Sequence, residues 1–553
     1  MLLNHLHLVL AAFSCLPSAL GKLQTCKGRD LPAIEVFGLE IVDITAKEHH
    51  DYEDWQPFPF MPAPKKPIDF CNFTITYTHP GQNDHINVYI WLPMNDTWNG
   101  RFVGQGGGGL TAGFAMALAP SVASGYAVAI TDAGHTFHND PSKTADSEWV
   151  LTSPGNINWP LLQDFAGRAL DDLPKVAKQV IKGFYGEPPK YSYWNGCSTG
   201  GRQGLMSAQR YPEDYQGIVA AAPAINWAEM AVAGMWPHIV MRRLGYYPPM
   251  CEMEAILAAD VEACDELDGV KDGVIAAPGL CTFDAKTVVG QSFDCEGDSR
   301  KISAEAAEIA NEAWKGPFKG DRRLWFGLPH GTPFSVAGPW GPPTGLATTE
   351  CDEKNQNCRS RFFAVSTSWI GNVVRRGKST DLSEMDEEEF YRTLRLSVNE
   401  FASVMSTSDP DLSEFGAAGG KMITWHGLAD QLIPVNGSSS YYEKVLSLDP
   451  EARSYYRYFE APGVQHCFGG AGAAPTAVLD QVIKWVEEGI APETLTAATM
   501  PAPGPPDDAA SVVKHRPLCP YPLVSAYVGG DLSEASSFEC AESFDVKKRH
   551  TEL

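Results

Sequence analysis

Three observations predict an α/β fold carrying a large insertion. Short apolar or aromatic runs alternate with helix-like segments. A G-x-S-x-G pentapeptide stands where one of those runs meets one of those segments. The alternation stops near residue 226 and resumes near residue 416, as though one sheet were interrupted and continued. With 553 residues the chain exceeds one ordinary core, which calls for two domains or one large domain with an insertion.

The runs at 126–131 (YAVAIT), 191–196 (YSYWNG), 217–225 (GIVAAAPAI), 421–427 (KMITWHG) and 455–463 (YYRYFEAPG) each end in turn residues and read as buried parallel strands. Helices are predicted over 159–186 and 475–489, the second with Val478, Val482, Trp485 and Val486 on one face. Between them the domain plan is a leader at 1–21, a first α/β part at 22–225, an inserted lid domain at 226–415, and a second α/β part with a C-terminal strap at 416–553. The stretch PAPGPPDD reads as a linker, with Cys519 and Cys540 stapling the strap beyond it.

The apolar run LHLVLAAFSCLPSAL predicts a secretory signal cut near Gly21, although its N-terminal region lacks Lys or Arg. No later run is long and apolar enough to span a bilayer, so no membrane partner is expected. A formal charge of -25 leaves little positive surface for phosphates, so nucleic acid is not an expected partner. Of thirteen cysteines Cys15 lies in the leader, and the even remainder suits disulfides in an oxidising compartment. No C-x-x-C pair supports a thiolate metal site. Sequons at Asn72, Asn95 and Asn436 are compatible with secretion as a glycoprotein. The terminal His550-Thr551-Glu552-Leu553 resembles an H-D-E-L retrieval signal with Thr in place of Asp, which makes the ER lumen the alternative to secretion.

Gly196-Cys197-Ser198-Thr199-Gly200 matches the nucleophile elbow, where small flanking residues permit a strained turn that exposes the serine Oγ. A serine hydroxyl needs a histidine to take its proton and a carboxylate to fix that histidine's tautomer. In the order serine, acid, histidine the candidates are Asp430 in HGLADQLIP and His466 in VQHCFGG, both in loops after strands. Asp449 and Glu460 compete for the acid and His515 for the base, but Asp449 precedes a proline, Glu460 lies within a strand and His515 lies in the strap. His426 adjoins the Asp430 loop and reads as structural. Cys197 and Cys467 flank Ser198 and His466, and a disulfide between them would hold nucleophile and base together.

Gly104 to Gly109, GQGGGG, satisfies G-x-G-x-x-G and has Asp132 further on, which on paper suits a dinucleotide. An oxyanion hole needs such glycines too, so that a backbone N–H from Gly108 or Gly109 can join that of Thr199 at the tetrahedral intermediate. The serine, acid and histidine favour the second role, leaving a secreted flavoprotein oxidoreductase as one alternative and a catalytically silent extracellular binding module as another. The loop from Cys264 to Cys281 concentrates Asp265, Asp268 and Asp272 among glycines; it suits calcium or is a solvated acidic turn, and it lacks the spacing of an EF-hand.

Together GCSTGGRQG, HGLADQLIP and QHCFGG resemble the fungal tannase and feruloyl esterase family, over about Cys26 to Cys540. The resemblance implies an α/β-hydrolase fold with a lid over the site, and a disulfide joining Cys197 to Cys467. It further implies a structural Ca²⁺ in the lid on Asp265, Asp268, Val270, Asp272 and Val274, the valines through backbone oxygens. Cys26, Cys71, Cys264, Cys281, Cys519 and Cys540 are expected in disulfides, while the partners of Cys251, Cys295, Cys351 and Cys358 stay open. The implied substrates are esters of phenolic acids, hydroxycinnamic or gallic, free or linked to polysaccharide. Trp227, Trp236 and Trp325 either shape an acyl pocket or belong to the core. The oligomeric state is not legible.

Overall fold

The computed structural model describes residues 25–55, 64–135, 148–338, 341–378, 381–500 and 512–544. The leader, the PAPGPPDD linker and the terminal tetrapeptide lie outside them.

Among the described residues a nine-stranded sheet organises the molecule. Its strands are β1 (Glu40–Tyr52), β2 (Ile68–Thr78), β3 (Ile86–Pro93), β4 (Arg101–Gln105), β5 (Ala127–Thr131), β6 (Tyr191–Cys197), β7 (Gly217–Ala221), β8 (Lys421–Gly427) and β9 (Tyr456–Ala461). The spatial order is β1-β2-β3-β5-β4-β6-β7-β8-β9. The first three strands pair antiparallel, β3 joins β5 antiparallel, and every pair from β5 to β9 is parallel. β5 and β7 are buried at every residue, as apolar strands covered on both faces must be. In β3, by contrast, Ile86, Val88, Ile90 and Leu92 alternate with half-buried residues.

Side chains leave the central strands on two faces. Phe102, Trp194, Ile218 and Met422 join the larger core, and Val103, Tyr193, Val219 and Ile423 join a second one under the helix Val478–Glu488. The segment predicted as one helix over 159–186 is three pieces: Trp159–Gln163, a π turn at Asp164–Arg168, and Ala169–Tyr185. A π turn frees carbonyls from the helical ladder. Here the buried Arg202 guanidinium, whose pKa burial lowers to about 9, donates to Phe165 O and Ala166 O at 3.2 and 2.9 Å.

β7 and β8 are neighbours in space, yet residues 222–420 separate them in sequence. That excursion holds helices and short two-stranded ribbons. Its longest helix, Glu387–Met405, packs on Trp227–Ala233 and ends with Met405 O accepting from Arg202. Other parts of the excursion touch the loop after β8: Leu346 N–H donates to Gln431 O and the Thr332 hydroxyl to Leu428 O.

Candidate active site

Ser198 stands between the last residue of β6 and the first of the helix Thr199–Arg210, with φ +64° and ψ −121°. A serine reaches these angles only where its surroundings over-determine them. Its N–H donates to Ala221 O, and its C=O accepts from the N–H groups of Arg202 and Ala224. Small neighbours are obligatory: a Cβ on Gly196 would lie 2.5 Å from the Gly200 carbonyl carbon, and one on Gly201 would lie 2.2 Å from Ala221 O.

Asp430 follows β8 and is fully buried. Its Oδ1 accepts from the N–H groups of Leu432 and Ile433, both at 2.9 Å, and its Oδ2 accepts from His466 Nδ1 at 2.7 Å. Burial pushes this carboxyl up, but the His466 charge and hydrogen bonds from His426 and His466 outweigh it and hold Asp430 well below the usual carboxylate range. His466 N–H also donates to Gln431 Oε1 at 3.1 Å, which anchors the histidine loop to the carboxylate loop. The disulfide Cys197–Cys467 ties the residue before the serine to the residue after the histidine, with Cα atoms 6.1 Å apart. Neither competing acid meets His466: Asp449 accepts from Tyr455 and Glu460 from Ser439.

Thr199 opens its helix, so its N–H belongs to the first turn that has no intrahelical acceptor. Its hydroxyl donates to Gly109 O at 2.6 Å, and Gly200 N–H donates to Gly107 O, which seats the glycine loop against the serine turn. A Cβ on Gly106 would fall 2.5 Å from Gly200 Cα, so this approach excludes a side chain. Of the two glycines expected to supply an oxyanion donor beside Thr199, Gly108 donates its N–H to Thr111 O at 3.1 Å, closing a small bridge, whereas Gly109 lies at φ +58°. The same bridge removes the dinucleotide context, because the glycines do not lead directly into a helix. Gln203 was not anticipated; its Oε1 accepts from Gly107 N–H and its Nε2 donates to Ala112 O. Its place one helical turn after Thr199 was the available signal.

Ser198, Thr199, Gly109 and His466 all line one cavity of about 1090 Å³. Phe114, Trp227, Met230, Phe362, Phe363 and Leu432 form apolar wall, and Asn195, Tyr126, Asp480 and Thr499 supply polar lining. Trp236 and Trp325 are buried core instead. His515 sits exposed in the strap strand His515–Leu518.

In the acidic loop Asp265 accepts from the N–H groups of Asp272, Gly273 and Val274, Asp268 accepts from Val270 N–H, and Asp272 accepts from Arg516 of the strap. Burial, then the charges of Asp272 and Asp265, push the Asp268 carboxyl up to about 6, against the lowering effect of the Val270 N–H. Six disulfides join Cys26–Cys71, Cys197–Cys467, Cys251–Cys295, Cys264–Cys281, Cys351–Cys358 and Cys519–Cys540. Asn95 and Asn436 are exposed, whereas Asn72 is half-buried in β2.

Strand order, the strained serine corner after β6 and the carboxylate–histidine pair after β8 and β9 are those of an α/β-hydrolase. The profile for "Tannase and feruloyl esterase" matches residues 71–541, and the chain belongs to that family. It is 38% identical over 540 residues to a probable feruloyl esterase of Arthroderma benhamiae, covering 95% of this chain and 96% of that one. It is 27% identical to a tannase of Aspergillus oryzae, covering 85% of each. Among solved structures, tannin acyl hydrolase from Aspergillus niger superposes with a TM-score of 0.80 at 27% identity, covering 93% of this chain and 94% of the other. Feruloyl esterase B from Aspergillus oryzae, 24% identical, shares the fold with a TM-score of 0.71, covering 92% of this chain and 98% of that one.

Proposed function

We propose that this member of the family is a secreted carboxylic ester hydrolase that cleaves esters of phenolic acids through an acyl-enzyme. The observation that carries the mechanism is the 2.7 Å bond from His466 Nδ1 to the buried Asp430, on a loop disulfide-linked to the serine turn. With its Nδ1–H held by Asp430, His466 presents an unprotonated Nε2 as base. Ser198 Oγ attacks the ester carbonyl as its proton passes to Nε2. The oxyanion accepts hydrogen bonds from the N–H groups of Thr199 and Gly109, each worth about 10²–10³ in rate at such sites. Collapse expels the alcohol, which takes the proton from Nε2. Water then repeats the sequence on the acyl-enzyme, Nε2 taking its proton and returning it to Ser198 as the phenolic acid departs.

Between the two acyl classes, the apolar wall of Phe114, Trp227, Met230, Phe362 and Phe363 favours the hydroxycinnamoyl group, with its vinyl spacer and fewer hydroxyls, over the galloyl group. Methyl ferulate, methyl caffeate, methyl gallate and a short p-nitrophenyl ester test this. A kcat/KM for methyl ferulate at least roughly tenfold above that for methyl gallate is expected; the opposite ratio assigns the galloyl group.

Residues 226–415 act as a lid in this reading, because they supply Trp227, Met230, Phe362 and Phe363 to the cavity wall. Six disulfides favour an oxidising compartment and so secretion. Glycans fit the exposed Asn95 and Asn436 better than Asn72, whose Oδ1 is enclosed without a partner. The acidic loop fits a structural Ca²⁺: its donors are all oxygen, and the raised Asp268 carboxyl marks negative charge crowded in a partly buried turn. Asp265, Asp268, Asp272 and the carbonyls of Val270 and Val274 would hold the ion, which would brace the lid to the strap.

A further inference from the structure

His426 is the penultimate residue of β8 and has no exposed surface. Its Nε2 lies 3.0 Å from Asp430 Oδ2, and its Nδ1 lies 2.9 Å from Ser438 Oγ. Oδ2 of the proposed catalytic carboxylate is therefore shared by two imidazoles, while Oδ1 is taken up by two backbone N–H groups. We propose that His426 is a positioning residue for ester hydrolysis, which fixes the rotation of the Asp430 carboxylate and draws part of its charge away from His466. The proposal rests on the reading of Ser198, His466 and Asp430 as the catalytic triad.

Packing alone does not account for this arrangement, since an apolar ring would fill the same volume without a polar atom to satisfy. The ionised Asp430 carboxylate can only accept, so the neutral His426 carries its proton on Nε2 and donates to Asp430, and its Nδ1 accepts the Ser438 hydroxyl proton, which supports that tautomer. The other titratable group facing it is Glu460, its register partner on β9. Burial raises the Glu460 carboxyl, which accepts from Ser439 Oγ at 2.8 Å and from the Tyr458 hydroxyl. With only the backbone holding Oδ1, loss of the His426 donor lets the Asp430 carboxylate turn away from the geometry that holds His466 and also leaves it more basic. His466 then keeps its proton to higher pH and is a base over a narrower range.

The test compares His426→Phe, His426→Gln and Ser438→Ala with wild type on methyl ferulate across pH, beside Ser198→Ala. His426→Phe should lose roughly ten- to a hundredfold in kcat, as removal of one charge-assisted hydrogen bond implies, with KM nearly unchanged. Its acid limb in kcat/KM should move up by about 0.5–1 pH unit. His426→Gln, whose amide can reach the same oxygen, should recover most of the rate. Ser438→Ala should shift the limb the same way by less, and stands in if His426→Phe does not fold. A wild-type rate in His426→Phe, an unmoved acid limb, or a glutamine variant as slow as the phenylalanine one overturns the proposal. If Ser198→Ala keeps turnover, the triad itself is wrong; if it is inactive while His426→Phe is unimpaired, only the role of His426 falls.

Discussion

Asp430 shows how one residue can be legible in sequence while its surroundings are not. The chain order of serine, acid and histidine, with strand ends as the address, selects it from three carboxylates. Its four donors come from Leu432, Ile433 and His426, within four residues of it, and from His466, 36 residues on, and only folding aims all four at one carboxylate. Because its folded pKa lies below the unfolded value of 3.8, its contribution to stability is complete above that value and is lost as pH falls through the folded one. Asp430→Asn should lower kcat by about 10⁴-fold by breaking the tautomer control of His466. Steady-state kinetics near neutrality check this, and a loss under tenfold would assign the acid elsewhere. The contacts of His426 are not legible in sequence, because a histidine inside a buried strand carries no mark of what its ring nitrogens meet.

At the scale of elements, the parallel half of the sheet was readable because continuous apolar runs reveal strands covered on both faces. KMITWHG matches β8 from end to end, and YSYWNG matches β6 to within one residue. The antiparallel strands β1, β2 and β3 went unread, since their signal is alternation: in β3 only every second residue is fully committed to the core until Pro93. The π turn before Ala169–Tyr185 was equally silent, because the Arg202 guanidinium that satisfies its carbonyls lies on another helix. The disulfide between Cys197 and Cys467 bridges 270 residues, for which the chain-entropy model allows about 5 kcal/mol. Its greater effect should fall on rate, because a shift near 1 Å between base and nucleophile can cost about a hundredfold. Cys197→Ala/Cys467→Ala should fold, by circular dichroism, and lose most turnover; a double variant with full activity would show that the bridge does not position the triad.

For the whole molecule, burial leaves several carboxyls protonated at mildly acidic pH. Burial raises Asp164 and Asp214 to about 7 and Asp132 to about 6. Each binds a proton in the folded chain that the unfolded chain has released, so stability falls as pH rises from about 4 through 7. His79, raised by its bonds to Asp172 and Asp84 in spite of burial, adds stability that is also lost as pH rises through its folded pKa. Buried His238, lowered to about 3, works in the opposite direction but only up to 6.5. With a formal charge of -25 also opposing compaction at higher pH, the melting temperature should drop by at least about 3 °C between pH 5 and pH 8. Calorimetry at constant ionic strength reads it, and a rise would contradict the protonation of the buried acids. Excess EDTA should lower the melting temperature more than it lowers turnover at room temperature, since a bound ion stabilises only the folded chain. An unchanged melting temperature, with no calcium in elemental analysis, would remove the proposed site.

The central claim is that Ser198 forms the acyl-enzyme, and it is most directly tested by Ser198→Ala on methyl ferulate. Ser198 is partly exposed at its turn and packs little, so the variant should keep the wild-type melting temperature to within about 2 °C. Turnover should fall by about 10⁶-fold, as for removal of a triad serine. A folded Ser198→Ala protein that hydrolyses the ester at the wild-type rate would contradict the account.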